Sequence, residues 1–108
     1  MTPQEVQTWR RSLRHELIER RAALPRSTLD EYRRRIDTHL RRAFPDLAHG
    51  VIAFCWPYKN EYDARHLLAD LRRHGATTAL PAIVAPRTSL VFREWHPGVT
   101  LKAGPLGL

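Results

Sequence analysis

Long apolar runs, paired cysteines and clustered glycines are all missing from this chain of 108 residues, and each absence removes a class of function. No apolar stretch approaches the ~20 residues that cross a bilayer, and the opening M-T-P-Q-E-V-Q-T-W-R-R has no hydrophobic signal core. A cytoplasmic setting without a membrane partner is the expectation. The single cysteine, Cys55, leaves no internal disulfide and no zinc knuckle, and its position inside an apolar run predicts a buried, inert thiol. The five glycines are scattered, so neither the Walker loop nor the dinucleotide fingerprint is spelled out. Ser12, Ser27 and Ser89 stand outside any nucleophile elbow, and the six histidines have no tight metal-ligand spacing. Lysine is scarce as well. Only Lys59 and Lys102 occur, so sixteen of the eighteen basic side chains are arginine.

What is present is a globular composition, 43% apolar and 27% charged, of a length that builds one small domain around one core. The net charge of +7 favours an anionic partner, whether nucleotide phosphate, polycarboxylate or nucleic acid, although a GC-rich coding sequence enriches arginine too.

The informative stretch is 51–71. Val51 to Trp56 is a short apolar run between Gly50 and Pro57 and reads as a buried strand. Ala64, Leu67, Leu68 and Leu71 then recur at helical spacing, with Gly75 where a helix C-terminal glycine belongs. Strand, polar turn and helix make the front of a βαβ unit, whose ligands gather at the carboxyl ends of strands. Trp56, Tyr58 and Glu61 lie at that end. Glu61 reads either as a carboxylate near a helix start or as an acceptor for a ligand's N–H groups beside an aromatic wall. Trp95 offers a second aromatic surface, with burial in the core the stronger expectation.

Upstream, Thr2, Pro3 and Glu5 form a helix start with a capping box. Val6, Trp9, Leu13 and Leu17 mark the apolar stripe of a helix running to about Leu24, where Pro25 stops it. Arg10, Arg14 and Arg21 follow one flank of the stripe, and Arg10 and Arg14 are near enough to reach one anion. Ser27 and Asp30 suggest a second cap. A helix to Pro45 follows, with Arg33, Arg34, Arg35, Arg41 and Arg42 on a solvated face. Thr77 to Leu80 predicts a second strand ending at Pro81, with Ala82 to Val84 extending it past a kink. Leu90 to Trp95 predicts a third strand, His96-Pro97-Gly98 a turn, and 99–108 a loop.

Four segments, in order, resemble the 5-formyltetrahydrofolate cyclo-ligases (5,10-methenyltetrahydrofolate synthetases). They are W-R-R-S-L-R-H-E-L-I-E-R-R-A-A-L, then V-I-A-F-C-W-P-Y-K-N-E-Y-D-A-R-H-L-L-A-D-L-R-R-H-G, then A-L-P-A-I-V, and L-V-F-R-E-W-H-P-G-V-T-L-K-A-G-P-L-G-L. The resemblance implies an α/β, Rossmann-like layered domain with a mostly parallel sheet flanked by helices, of which 1–108 would be the amino-terminal portion, apparently truncated. It implies an enzyme that uses ATP and Mg²⁺ to convert 5-formyltetrahydrofolate to 5,10-methenyltetrahydrofolate. In that family the formyl oxygen attacks the γ-phosphate, and N10 then displaces phosphate to close the ring. Arg10 and Arg14 fall at ATP-contacting positions, the first commonly lysine in the family. Trp56 and Glu61 fall at folate-contacting positions. The family's glycine-rich phosphate loop with its Tyr-Asp ending has no counterpart here, so this chain alone is expected to lack ligase activity. Two alternatives stand beside this reading: first an arginine-rich nucleic-acid-binding module, then a non-catalytic half that pairs with another chain.

Overall fold

A computed structural model describes residues 1–101; the part of the expected terminal loop over 102–108 lies outside the described residues. The capping box forms as the sequence dictates. The Thr2 hydroxyl accepts from the Glu5 N–H (3.1 Å), the Glu5 carboxylate accepts from the Thr2 N–H (3.2 Å), and helix α1 covers Pro3–Ala22. Helix α2 covers Arg26–Ala43. Its cap is a correction: Pro25 holds the N-cap position and no side chain caps the helix, so the Ser27/Asp30 pattern goes unused. Asp30 instead pairs with Arg26 at 3.5 Å.

A single 3₁₀ turn, Leu47–His49, leads into strand β1, Val51–Ala53. Helix α3 (Arg65–Arg73), strand β2 (Thr77–Ala82) and strand β3 (Val91–Glu94) complete the described elements. α3 ends as Gly75 requires. At φ +107° this residue lets the Gly75 N–H reach the Arg72 carbonyl and the Ala76 N–H reach the Leu71 carbonyl, both at 3.0 Å, which is a Schellman closure.

The strands form one sheet in the order β1-β2-β3, with β1 parallel to β2 and β2 antiparallel to β3. The expected mostly parallel sheet is therefore corrected to a small mixed one within an α/β chain. β2 stops short of Ile83 and Val84, yet it continues through Pro81 to Ala82, part of the extension expected beyond the proline. The register gives the reason. The Trp95 N–H donates to the Thr78 carbonyl and Pro81 pairs with Phe92, which places the missing N–H of Pro81 on the β1 side. β1 reaches only to Ala53 opposite Ala79, so no ladder bond is lost.

Alternation divides the sheet into two unlike faces. Ile52, Phe54, Thr78, Leu80 and Trp95 face α3 and meet its Leu67, Leu68 and Leu71 in the core. Trp95 is buried here as expected, its ring edge-on to Phe54 at 5.5 Å. Thr78 is the most enclosed side chain, donating to the Trp95 carbonyl and accepting from Arg72 (2.9 Å). The other face carries Val51, 73% exposed, and Phe92, 59% exposed. Ala79, on the same face of the central strand, is buried at 5%.

The expected strand 51–56 is likewise shorter: only Val51, Ile52 and Ala53 pair with β2, although β2 itself continues to Ala82. Beyond Ala53 the Phe54 N–H still reaches the Ala79 carbonyl (3.0 Å), but Cys55 has left the sheet and is exposed. The buried thiol is thereby corrected.

Candidate functional site

The chain between β1 and α3 is held as a shaped turn. Lys59 and Asn60 take φ values of 45° and 62°, and the Glu61 N–H closes back on the Tyr58 carbonyl at 3.1 Å. Two consecutive residues at positive φ under that bond have the form of a type I′ turn, which asparagine tolerates better than lysine does. Glu61 closes the same turn a second time: its Oε1 accepts from the Tyr58 N–H at 2.8 Å. Its other oxygen has no hydrogen-bond partner among the described residues. Glu61 thus lies ahead of α3 rather than in its first turn, and the dipole role is replaced by a turn-closing one.

Three clamps fix this turn to the rest of the chain. From α1, Arg21 Nε donates to the Lys59 carbonyl (2.8 Å), and Asn60 Nδ2 donates in return to the carbonyls of Arg21 (3.3 Å) and Ala22 (3.2 Å). From α2, the Asp37 carboxylate accepts from the Tyr62 hydroxyl and pairs with Arg33 at 3.4 Å. Burial first, and then the bond to Asp37, keep the Tyr62 phenol protonated well beyond its ordinary range. At the start of α3, Asp63 takes a two-pronged contact from the Arg65 guanidinium (2.8 Å on each oxygen) and caps the Arg65 N–H (3.0 Å). The Arg65 hydrogen bond holds the Asp63 carboxyl below the usual carboxylate range.

Two clefts open around the turn. One, of about 460 Å³, lies at the carboxyl end of β1 between Phe54, Cys55, Pro57, Ala64, Tyr62, Arg21 and Glu61. The other, of about 220 Å³, lies beside α2 against Leu29, Tyr32, Arg33 and Ile36. Arg21, Glu61 and Tyr62 border both.

The four residues singled out from the sequence fare differently. Glu61 stands at the carboxyl end of β1, half anchored and half open. Trp56, 43% exposed, borders neither cleft; its ring lies 4.4 Å below the Arg65 guanidinium and edge-on to Trp95 at 5.4 Å. Arg10 and Arg14 are exposed on α1 and form no ion pair among the described residues. They lie within about 40° of Arg21 around the helix at 100° per residue, so they share the side of α1 that meets the turn. The arginine face of α2 is less free than its composition implies. Arg33, Arg35 and Arg41 are paired with Asp37, Glu31 and Asp70, and Arg33 is turned inward.

Asn60, Tyr62 and the Asp63–Arg65 pair are the contributors that sequence reasoning missed. Asn60, in Lys-Asn-Glu, was the one legible signal, since asparagine favours positive φ. A phosphate site is chemically compatible with Arg10 and Arg14, as exposed guanidinium forks suit phosphate oxygens. Among the described residues, no group of three or more His, Cys, Asp or Glu side chains is placed to hold a metal ion. No helix among the described residues is long and apolar enough to cross a membrane. Compared with protein-family models, with curated proteins and with solved structures, the chain matches none.

Proposed function

We propose that this chain carries the pterin-recognising part of a 5-formyltetrahydrofolate cyclo-ligase-like domain, within a Rossmann-like layout. The observation that carries the reading is the state of Glu61: one carboxylate oxygen fixed by the Tyr58 N–H, the other unengaged at a cleft beyond a parallel strand. A carboxylate so oriented accepts hydrogen bonds from the amino and ring N–H groups of a pterin without first losing rotational freedom. Phe54 and Pro57 line the same cleft and supply apolar contact for a flat ring. Arg10 and Arg14 would hold the phosphates of ATP on the same side of α1. ATP bound there would supply the phosphoryl group that activates the formyl oxygen. Mg²⁺ would arrive with the phosphates of ATP, since it is usually held by substrate phosphates and only one or two carboxylates. Trp56, at the other folate-contacting position, is held by Arg65 and Trp95 at the start of α3 and keeps 43% of its surface exposed.

Calorimetric titration of the 108-residue chain with 5-formyltetrahydrofolate tests the reading. Binding is expected, weakened at least about tenfold (~1.4 kcal/mol) by Glu61→Gln. No methenyl absorbance should develop on adding ATP and Mg²⁺, because the chain has no glycine-rich phosphate loop. Absence of binding by the native chain, or undiminished binding by Glu61→Gln, overturns the proposal.

A further inference from the structure

We infer that Arg21 is the positioning residue for the Glu61 carboxylate, acting through the carbonyls of the 58–61 turn. Only the identity of the ligand rests on the pterin reading; the positioning itself is a matter of geometry. The Arg21 guanidinium spans two successive carbonyls, with Nε at 2.8 Å from the Lys59 oxygen and an Nη at 3.4 Å from the Tyr58 oxygen. A planar fork across two carbonyls fixes the peptide planes on both sides of Lys59, which a lysine ammonium cannot do. Those planes set the positive φ of Lys59, and the Glu61 N–H bond to the Tyr58 carbonyl orients the next plane and with it the positive φ of Asn60. Such a conformation is costly for a non-glycine residue and persists where surrounding bonds over-determine it.

Tyr58 is where the chain of cause closes. Its carbonyl is held by Arg21 and by the Glu61 N–H, and its own N–H holds Glu61 Oε1. Releasing Arg21 lets the turn leave positive φ, and the Glu61 side chain then loses its anchor. Asn60 ties the arrangement back to the carbonyls of Arg21 and Ala22, so the end of α1 and the turn behave as one joint. That joint also sets the direction in which α1 carries Arg10 and Arg14.

Amide hydrogen exchange reads the joint directly. Arg21→Lys and Arg21→Ala are expected to speed exchange of the Tyr58 and Glu61 amides about tenfold, the loss of one charge-assisted bond, while Leu68 and Leu71 keep their protection. Asn60→Gly keeps the fork and the positive φ, and should change the Tyr58 amide by less than about threefold. In titrations with 5-formyltetrahydrofolate, Arg21→Ala should weaken binding in the native background and add nothing to Glu61→Gln. An unchanged Tyr58 amide in Arg21→Ala overturns the inference, and so does equal deprotection by Asn60→Gly, which would assign the effect to helix docking in general. A native chain that binds no folate ends the pterin reading alone and leaves the exchange result to decide the role of Arg21.

Discussion

Lys59 and Tyr62 show how much of this region depends on single side chains. Lysine gains nothing from positive φ, so Lys59→Gly should raise stability by up to about 1 kcal/mol, read as a higher urea midpoint. A lower midpoint would mean that the lysine chain, whose ammonium lies 5.3 Å from the Tyr58 ring centre, matters more than the backbone. Tyr62 predicts an alkaline effect. Its folded pKa is raised, so its contribution to stability is present in full below about pH 10 and is lost as pH climbs above that value. Tyr62→Phe should flatten the fall in urea midpoint between pH 9 and 11 (roughly one unit either side of the unperturbed phenol). An identical slope in native and variant chains would show that the phenol is free. Asp63 acts in the opposite direction: with its folded pKa lowered, its contribution is present above about pH 4 and fades as pH falls through the folded value. None of these pairings follows from spacing along the chain, because Arg21 and Lys59 are thirty-eight positions apart and Asp37 and Tyr62 twenty-five.

Among the elements, α1 and α3 both carry an apolar stripe, much the weaker on α1, and the two meet different fates. Leu67, Leu68 and Leu71 are buried against the sheet, whereas Trp9, Leu13 and Leu17 on α1 remain exposed. Leu68→Ala should therefore cost about 2–5 kcal/mol in a urea titration, enough to unfold much of a small domain, and Leu13→Ala within about 0.5 kcal/mol. Similar losses at both sites would mean that the α1 stripe is covered in solution. Periodicity and caps made both helices readable from the sequence: the Thr2–Glu5 box and the Gly75 closure depend only on near neighbours. Which stripe finds a partner was not readable, because that depends on which surface folds against it. The same reason hid the inward turn of Arg33, whose place beside Asp37 and Tyr62 is set by the loop beyond β1.

At the scale of the molecule the chain is drawn out. Its radius of gyration is 16.9 Å, against about 13 Å for a compact chain of this length. Its accessible surface is 8680 Å², against roughly 6,200 Å² expected from its mass. Part of the exposed surface is apolar, including the α1 stripe and the side chains of Val51 and Phe92 on the sheet. The folded chain should accordingly bind the dye ANS at neutral pH, and Phe92→Ser should reduce that fluorescence while moving the urea midpoint by less than about 0.5 kcal/mol. Dye binding insensitive to Phe92→Ser would place the exposed apolar surface elsewhere. By itself the sequence determined the helices, the order of strands along the chain and the location of a polar turn carrying Glu61, because local periodicity, caps and turn residues encode these. Only the tertiary structure decided the antiparallel third strand, the exposure of Cys55, the withdrawal of Trp56 from the clefts and the grip of Arg21 on the turn. Each of these is a contact between distant segments, set by where a neighbouring strand ends or a helix end docks.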